Sequence, residues 1–347
     1  MKQTGRLESI DFVRGSAIVV MAAYHFMRTF INESTMNPTF HQTIAIPGRL
    51  AAPFFLLISG VSLVLLYYNS ELKGIKQEEI FVTSVKRGLF LIALSTFMNI
   101  LATYAFASGG IWEWNIFQIL GVALILSVRL VKMRLLGTII FILSYQYVWF
   151  MLRKIGWECD VLMNGIFPII PWLNYILFGM LTGHFILWWI NNPDWFRFKW
   201  YGAGFLFLLT LFLWYKFFNY STVLDVEKRP FFNSMVLICF AFCTVLCIAQ
   251  FLIPIIKTCL VNIIDLGQIA LSVYYIHMIY QYSLKVVIKF IETTPKENWH
   301  LLEWLLLNLF FWVPLFIGIN LWKNVNYSFG AEWFMNRYIS ARSIVKK

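Results

Sequence analysis

Residues 10–30 read IDFVRGSAIVVMAAYHFMRTF. The stretch has the length of a membrane-crossing helix, about 20 residues for a hydrocarbon layer about 30 Å thick. Yet Asp11, Arg14, His25 and Arg28 all lie in it. A charge inside the membrane costs about 3 kcal/mol on insertion scales, so Arg14 needs a partner or water. Asp11 stands three residues before Arg14 and can pair with it across one helical turn. Arg14 and His25 are 11 residues apart, which at about 100° per residue falls within about 20° of three full turns. The two side chains therefore share one face, about 16 Å apart along the axis. Arg28 places a second cation one turn beyond His25. A plain anchor would carry a snorkelling arginine and a packed histidine; the shared face sets a cation at one mouth and a base toward the other.

The rest of the chain extends this reading. Of the 347 residues 60% are hydrophobic and only 13% charged, where a soluble domain is about a quarter charged. Apolar runs recur at 10–31, 47–69, 84–107, 113–128, 135–152, 169–190, 200–219, 233–256, 262–289 and 301–322. The expectation is an all-α polytopic membrane protein, a bundle of about ten transmembrane helices. With the N-terminus inside, 18 of the 28 Lys and Arg fall on the inner side, so both termini are expected to be cytoplasmic. Residues 1–323 are read as one transmembrane domain and 324–347 as a cytoplasmic tail. The first run has no small-residue cleavage site after it and is expected to remain as the first span. The net charge of +11 fits topology and anionic headgroups, because no long basic tract favours nucleic acid. The expected outer loops, 32–46, 153–168, 220–232 and 290–300, are too short for a folded external domain, so any chemistry belongs to the bundle.

Several further groups are candidates. Arg49 precedes the second run, as a headgroup-side cation or a ligand for an anion, with Glu33 and His41 in the loop before it. Pro53 and Gly60 permit a kink or close packing in that run. Gly179 and Gly183 form a G-x-x-x-G face for close helix packing. Asn115 and Gln118 open the fourth run, where a polar cavity could form. His277 lies in the ninth run, after Ser272, Tyr274 and Tyr275. Cys239, Cys243 and Cys247 repeat every four residues and read as packing residues; no metal is expected. There is no P-loop, no H-E-x-x-H and no G-x-S-x-G, so ATP hydrolysis, zinc proteolysis and serine hydrolysis have no visible machinery.

In order, RLESIDFVRGSAIVVMAAYHF (6–26), GRLAAPFFLLISGVSL (48–63), KRGLFLIALSTFMNILATY (86–104), WNIFQILGVAL (114–124), FPIIPWLNYILFGMLTG (167–183) and LGQIALSVYYIH (266–277) form a set. Through it the chain resembles the heparan-alpha-glucosaminide N-acetyltransferase catalytic-domain family, its bacterial branch in particular, which is related to the type-three membrane acyltransferases. The resemblance implies transfer of an acetyl or other acyl group from cytoplasmic acyl-CoA to a hydroxyl or amine of a cell-envelope sugar or glycolipid. It implies a multi-pass protein of a bacterial plasma membrane. Type-three relatives carry an Arg and a His with ten residues between them, which Arg14 and His25 match; there the His is the base and the Arg serves the donor side. In the lysosomal branch the catalytic His lies in the loop before the second span, where His41 is the nearest residue. Arg49 matches an Arg common in the bacterial branch, Gln118 stands where bacterial relatives often have His, and His277 matches a frequent His. Histidine suits removal of the acceptor proton, and arginine suits the CoA phosphates. His25 and His41 both remain candidates for the catalytic role. The alternative function is a transporter or translocator of a lipid-linked sugar, with the polar stripe lining its pathway. The sequence leaves the oligomeric state open.

Overall fold

A computed structural model describes residues 7–31, 38–106, 110–111, 113–156, 167, 169–192, 231–291 and 301–340. Every regular element among them is a helix: α1 (Glu8–Phe30), α2 (Pro38–Leu72), α3 (Gln77–Phe106), α4 (Ile116–Lys132), α5 (Arg134–Lys154), α6 (Ile169–Asn191), α7 (Phe231–Gln268), α8 (Ala270–Ile291), α9 (Leu301–Lys323) and α10 (Ala331–Ser340). Six of these are long and apolar enough to cross a membrane, and α7 makes a seventh if its two halves count as one broken span. α4, with 17 residues, and α8 fall short of that measure. The expected seventh span, 200–219, lies outside the described residues, as does Glu33.

Two boundaries differ from expectation. Residues 38–46, expected in an outer loop, form the first turns of α2. Pro38 is the first residue of that helix, where its missing N–H costs nothing. His41 therefore stands in a helix and not in a loop; its side chain is outside the described residues. The expected inner loop at 257–261 is helical instead. α7 carries Pro254, which removes a hydrogen bond and crowds the turn before it, and it leaves helical geometry at Ile256 (φ −119°, ψ 22°). Its true end is at Gln268, inside the expected ninth span, where the amide of Ile269 turns back to Leu266 O at 3.2 Å.

The contacts divide the chain into two compact units. One takes the described parts of Met1–Leu7, Pro53–Leu101 and Gly109–Ile248. In lipid, helices gain little from hydrophobic burial against each other, so small residues that let backbones touch decide their pairing. α2 and α6 meet in this way: a Cβ on Gly60 would fall 2.1 Å from Ile176 O, and one on Gly179 would fall 2.1 Å from Leu57 O. The expected G-x-x-x-G face is thus a helix contact. Cys243 rests against Thr182 of α6, Sγ to Oγ1 3.8 Å. α4, α5 and α6 pack on one another. Leu136, Leu143 and Phe150, seven residues apart on α5, are exposed and give it an apolar outer face suited to hydrocarbon.

The other unit takes the described parts of Glu8–Ala52, Ala102–Ser108 and Ala249–Lys347, with α8 and α9 packed against α1. Phe26 is fully buried and meets the rings of Tyr280 and Phe311 at 5.7 and 5.3 Å. Trp304 donates Nε1–H to Ala23 O at 2.9 Å. Met27, Ile31 and Ala45 form a small buried cluster packed by Tyr24, Ile44 and Trp304.

Candidate active site

The α1 helix crosses the end of α7 at two glycines. Gly267 lies so close to α1 that a Cβ would stand 1.8 Å from Asp11 O, and a Cβ on Gly15 would stand 2.0 Å from Ile263 O. This contact brings the polar start of α1 onto the last turn of α7. Arg14 donates from Nη1 to Asp11 Oδ1 and to Gly267 O, each at 3.2 Å. Asp11 is buried, so the pair anticipated from their three-residue spacing forms with the carboxylate inside and the arginine side chain 21% exposed. The same guanidinium caps a helix C-terminus, where unpaired carbonyls and the helix dipole favour a cation. Lys257 pairs with Glu8 at 2.5 Å beside it.

α8 begins immediately after α7 and runs alongside α1. His25 Nδ1 and His277 Nε2 are 3.1 Å apart, within hydrogen-bond distance. Their rings are stacked, with centroids at 5.3 Å and 29° between planes. His277 is completely buried, whereas His25 is only partly so. Tyr274 lies edge-on to His277 at 5.1 Å, and Phe26 stands 6.5 Å from the same ring. One turn further, Gln281 Nε2 donates to Thr29 Oγ1. The register 25 to 277 and 29 to 281 therefore holds the two helices parallel through two polar pairs. In an apolar surround such pairs are strongly favoured over unpaired groups.

The remaining candidates are placed as follows. Arg28 and Arg49 are exposed. Arg49 Nε donates to Tyr24 OH at 3.5 Å, so α2 brings this arginine beside the residue preceding His25. In the other unit Asn115 is the N-cap of α4: its Oδ1 accepts from the amides of Phe117 and Gln118 at 3.1 and 3.2 Å. Gln118 Oε1 in turn accepts the Asn115 amide at 3.1 Å, completing a capping box. Asn115 Nδ2 donates to Asn99 Oδ1 at 2.8 Å, and Gln118 Nε2 donates to Thr96 Oγ1 at 3.3 Å. These two residues hold the end of a helix together. Among the described residues no three His, Cys, Asp or Glu side chains gather as a metal would require.

One polar site had no forecast. The carboxylate of Glu332 on α10 accepts from the amides of Leu271 and Ser272 at 2.6 and 3.3 Å, and from Ser272 Oγ. Ser272 Oγ also accepts from the amide of Ala331 at 2.8 Å, and Lys323 Nζ binds Asp265 Oδ2 at 2.5 Å. An acid from the C-terminal helix thus caps the start of the helix that carries His277, where the dipole favours negative charge. Asp265 in an apolar run was the one hint of it.

The model of the heparan-alpha-glucosaminide N-acetyltransferase catalytic domain matches residues 6–213. That span includes Asp11, Arg14, His25, Arg28, His41, Arg49, Asn115 and Gln118, and ends before His277. No curated protein matches the chain. With more than half of its 347 residues matched, the chain belongs to the heparan-alpha-glucosaminide N-acetyltransferase catalytic-domain family, a family of membrane acetyltransferases.

Proposed function

We propose that this protein transfers an acetyl or other acyl group from cytoplasmic acyl-CoA to a hydroxyl or amine of a cell-envelope sugar, with His25 as the general base. The observation that carries this reading is the pairing of His25 with His277 on two parallel helices, one ring buried and the other partly open. The acceptor O–H or N–H gives its proton to His25 as the oxygen or nitrogen attacks the thioester carbonyl. Collapse of the tetrahedral intermediate breaks the C–S bond. The CoA thiolate then leaves and recovers the proton from the imidazolium. General-base assistance of this kind contributes about 10²–10⁴-fold in rate.

Arg14, held by Asp11 and the end of α7, is a pre-oriented cation about 16 Å along α1 from His25. It suits the phosphates of CoA at one mouth while the pantetheine arm reaches toward the base. Arg49 beside Tyr24 adds a cation for an anionic acceptor. Oxygen is favoured over nitrogen as the acceptor atom, since free amino sugars are the rarer envelope group. A bacterial plasma membrane is the setting that fits such a substrate.

The test is transfer of label from radioactive acetyl-CoA to envelope glycan by the purified protein in nanodiscs. Labelled glycan and stoichiometric free CoA are expected. Sugar uptake into proteoliposomes without acyl-CoA consumption would replace this reading with that of a transporter.

A further inference from the structure

We infer that His277 is a positioning residue that fixes the tautomer of His25, accepting its Nδ1–H so that Nε2 presents a lone pair to the acceptor. This rests on His25 as the base.

The two nitrogens 3.1 Å apart share one proton, and only two neutral arrangements do so. In the first, His277 Nε2–H donates to His25 Nδ1. His277 Nδ1, which is buried and finds no hydrogen-bond partner among the described residues, is then a bare lone pair. His25 would carry its proton on Nε2, with nothing left to accept from a substrate. In the second, His25 Nδ1–H donates to His277 Nε2. The remaining proton of His277 then sits on Nδ1, and His25 Nε2, the ring nitrogen not engaged by His277, keeps its lone pair. Only the second arrangement leaves His25 able to act as a base, with the buried ring of His277 as its acceptor.

The burial of the two rings fits the same division of labour. His277 is sealed and touches Tyr274, Phe26 and His25, so it reaches no substrate. His25 is the partly open member. The adjacent Thr29–Gln281 pair holds the register that keeps the rings facing. A carbonyl oxygen at the position of His277 Nε2 would serve equally well as acceptor. An apolar side chain would not, and a base in the wrong tautomer loses up to about 10⁴-fold in turnover.

The experiment uses the full chain in nanodiscs with ¹⁵N-labelled histidine, and assigns His25 by difference from His25→Gln. The wild-type spectrum is expected to show His25 protonated on Nδ1. His277→Gln should keep that tautomer and retain acyl transfer within about tenfold. His277→Leu should move the His25 proton to Nε2 and lower kcat by about 10²–10⁴-fold with KM for acyl-CoA unchanged. Wild-type His25 protonated on Nε2 would overturn the inference, even if His277→Leu failed to fold. So would an unchanged His25 tautomer in a folded His277→Leu variant. Full activity of His25→Gln beside an Nδ1-protonated wild type would instead remove the base reading and leave the tautomer assignment standing.

Discussion

The crossing of α1 and α7 gives the sharpest quantitative test of the fold around the site. A Cβ on Gly267 would stand 1.8 Å from Asp11 O and 2.6 Å from its carbonyl carbon. Carbon and oxygen settle at about 3.3 Å at their closest, so Gly267→Ala must part the helices locally by about 1.5 Å. Overpacking of this order costs about 1–3 kcal/mol. It also stretches the 3.2 Å contact of Arg14 with Gly267 O beyond bonding distance. Each kcal/mol corresponds to about 2–4 °C in a medium-sized domain, so a fall of several degrees is expected. Gly318 on α9 is the control, because a Cβ there meets nothing within 4 Å. Gly318→Ala should gain about 0.5–1 kcal/mol by relieving glycine's helix cost. The assay is thermal unfolding of both variants in the same detergent, followed by intrinsic tryptophan fluorescence. Opposite signs are expected. Equal shifts, or a stabilised Gly267→Ala, would refute the close approach that places Arg14.

Two other perturbations separate structural from chemical roles. Asn115→Ala removes the N-cap of α4 and should cost about 1 kcal/mol in thermal unfolding; a raised KM at unchanged stability would show that Asn115 holds substrate instead. Burial pushes the Glu332 carboxyl above its ordinary value of 4.5, with hydrogen bonds from Ser272 and Leu271 offsetting part of the rise. A raised carboxyl contributes stability that is full below the ordinary value and is lost as pH rises through it toward the raised one. The Tm of wild type minus that of Glu332→Gln should therefore fall as pH climbs from about 4, then level off; a difference constant from pH 4 to 7 would contradict the buried cap.

Much of this was legible in sequence where the forces are local. The pairing of Asp11 with Arg14 follows from helical spacing, and the Gly179 and Gly183 face from the preference for small residues where backbones touch. The all-helical, multi-pass architecture follows from the apolar runs. The pairing of His25 with His277 was not legible, because 252 residues separate them and only the packing of α8 on α1 sets their register. The capping of α8 by Glu332 was hidden for the same reason. Asn115 and Gln118 showed as polar residues at a helix start, which a cavity and a capping box explain equally until the amide partners are known. The break at Ile269 lies two residues from Gly267, where α1 and α7 meet, and the apolar pattern runs straight through it.

The central claim is that His25 takes the acceptor proton. Its most direct test is the initial rate of acetyl transfer by His25→Ala at saturating acetyl-CoA, with folding verified by an unchanged unfolding temperature. The expected result is a fall in kcat of about 10²–10⁴-fold, while CoA still protects the protein against unfolding. Undiminished transfer by the folded variant would contradict the claim and turn attention to His41.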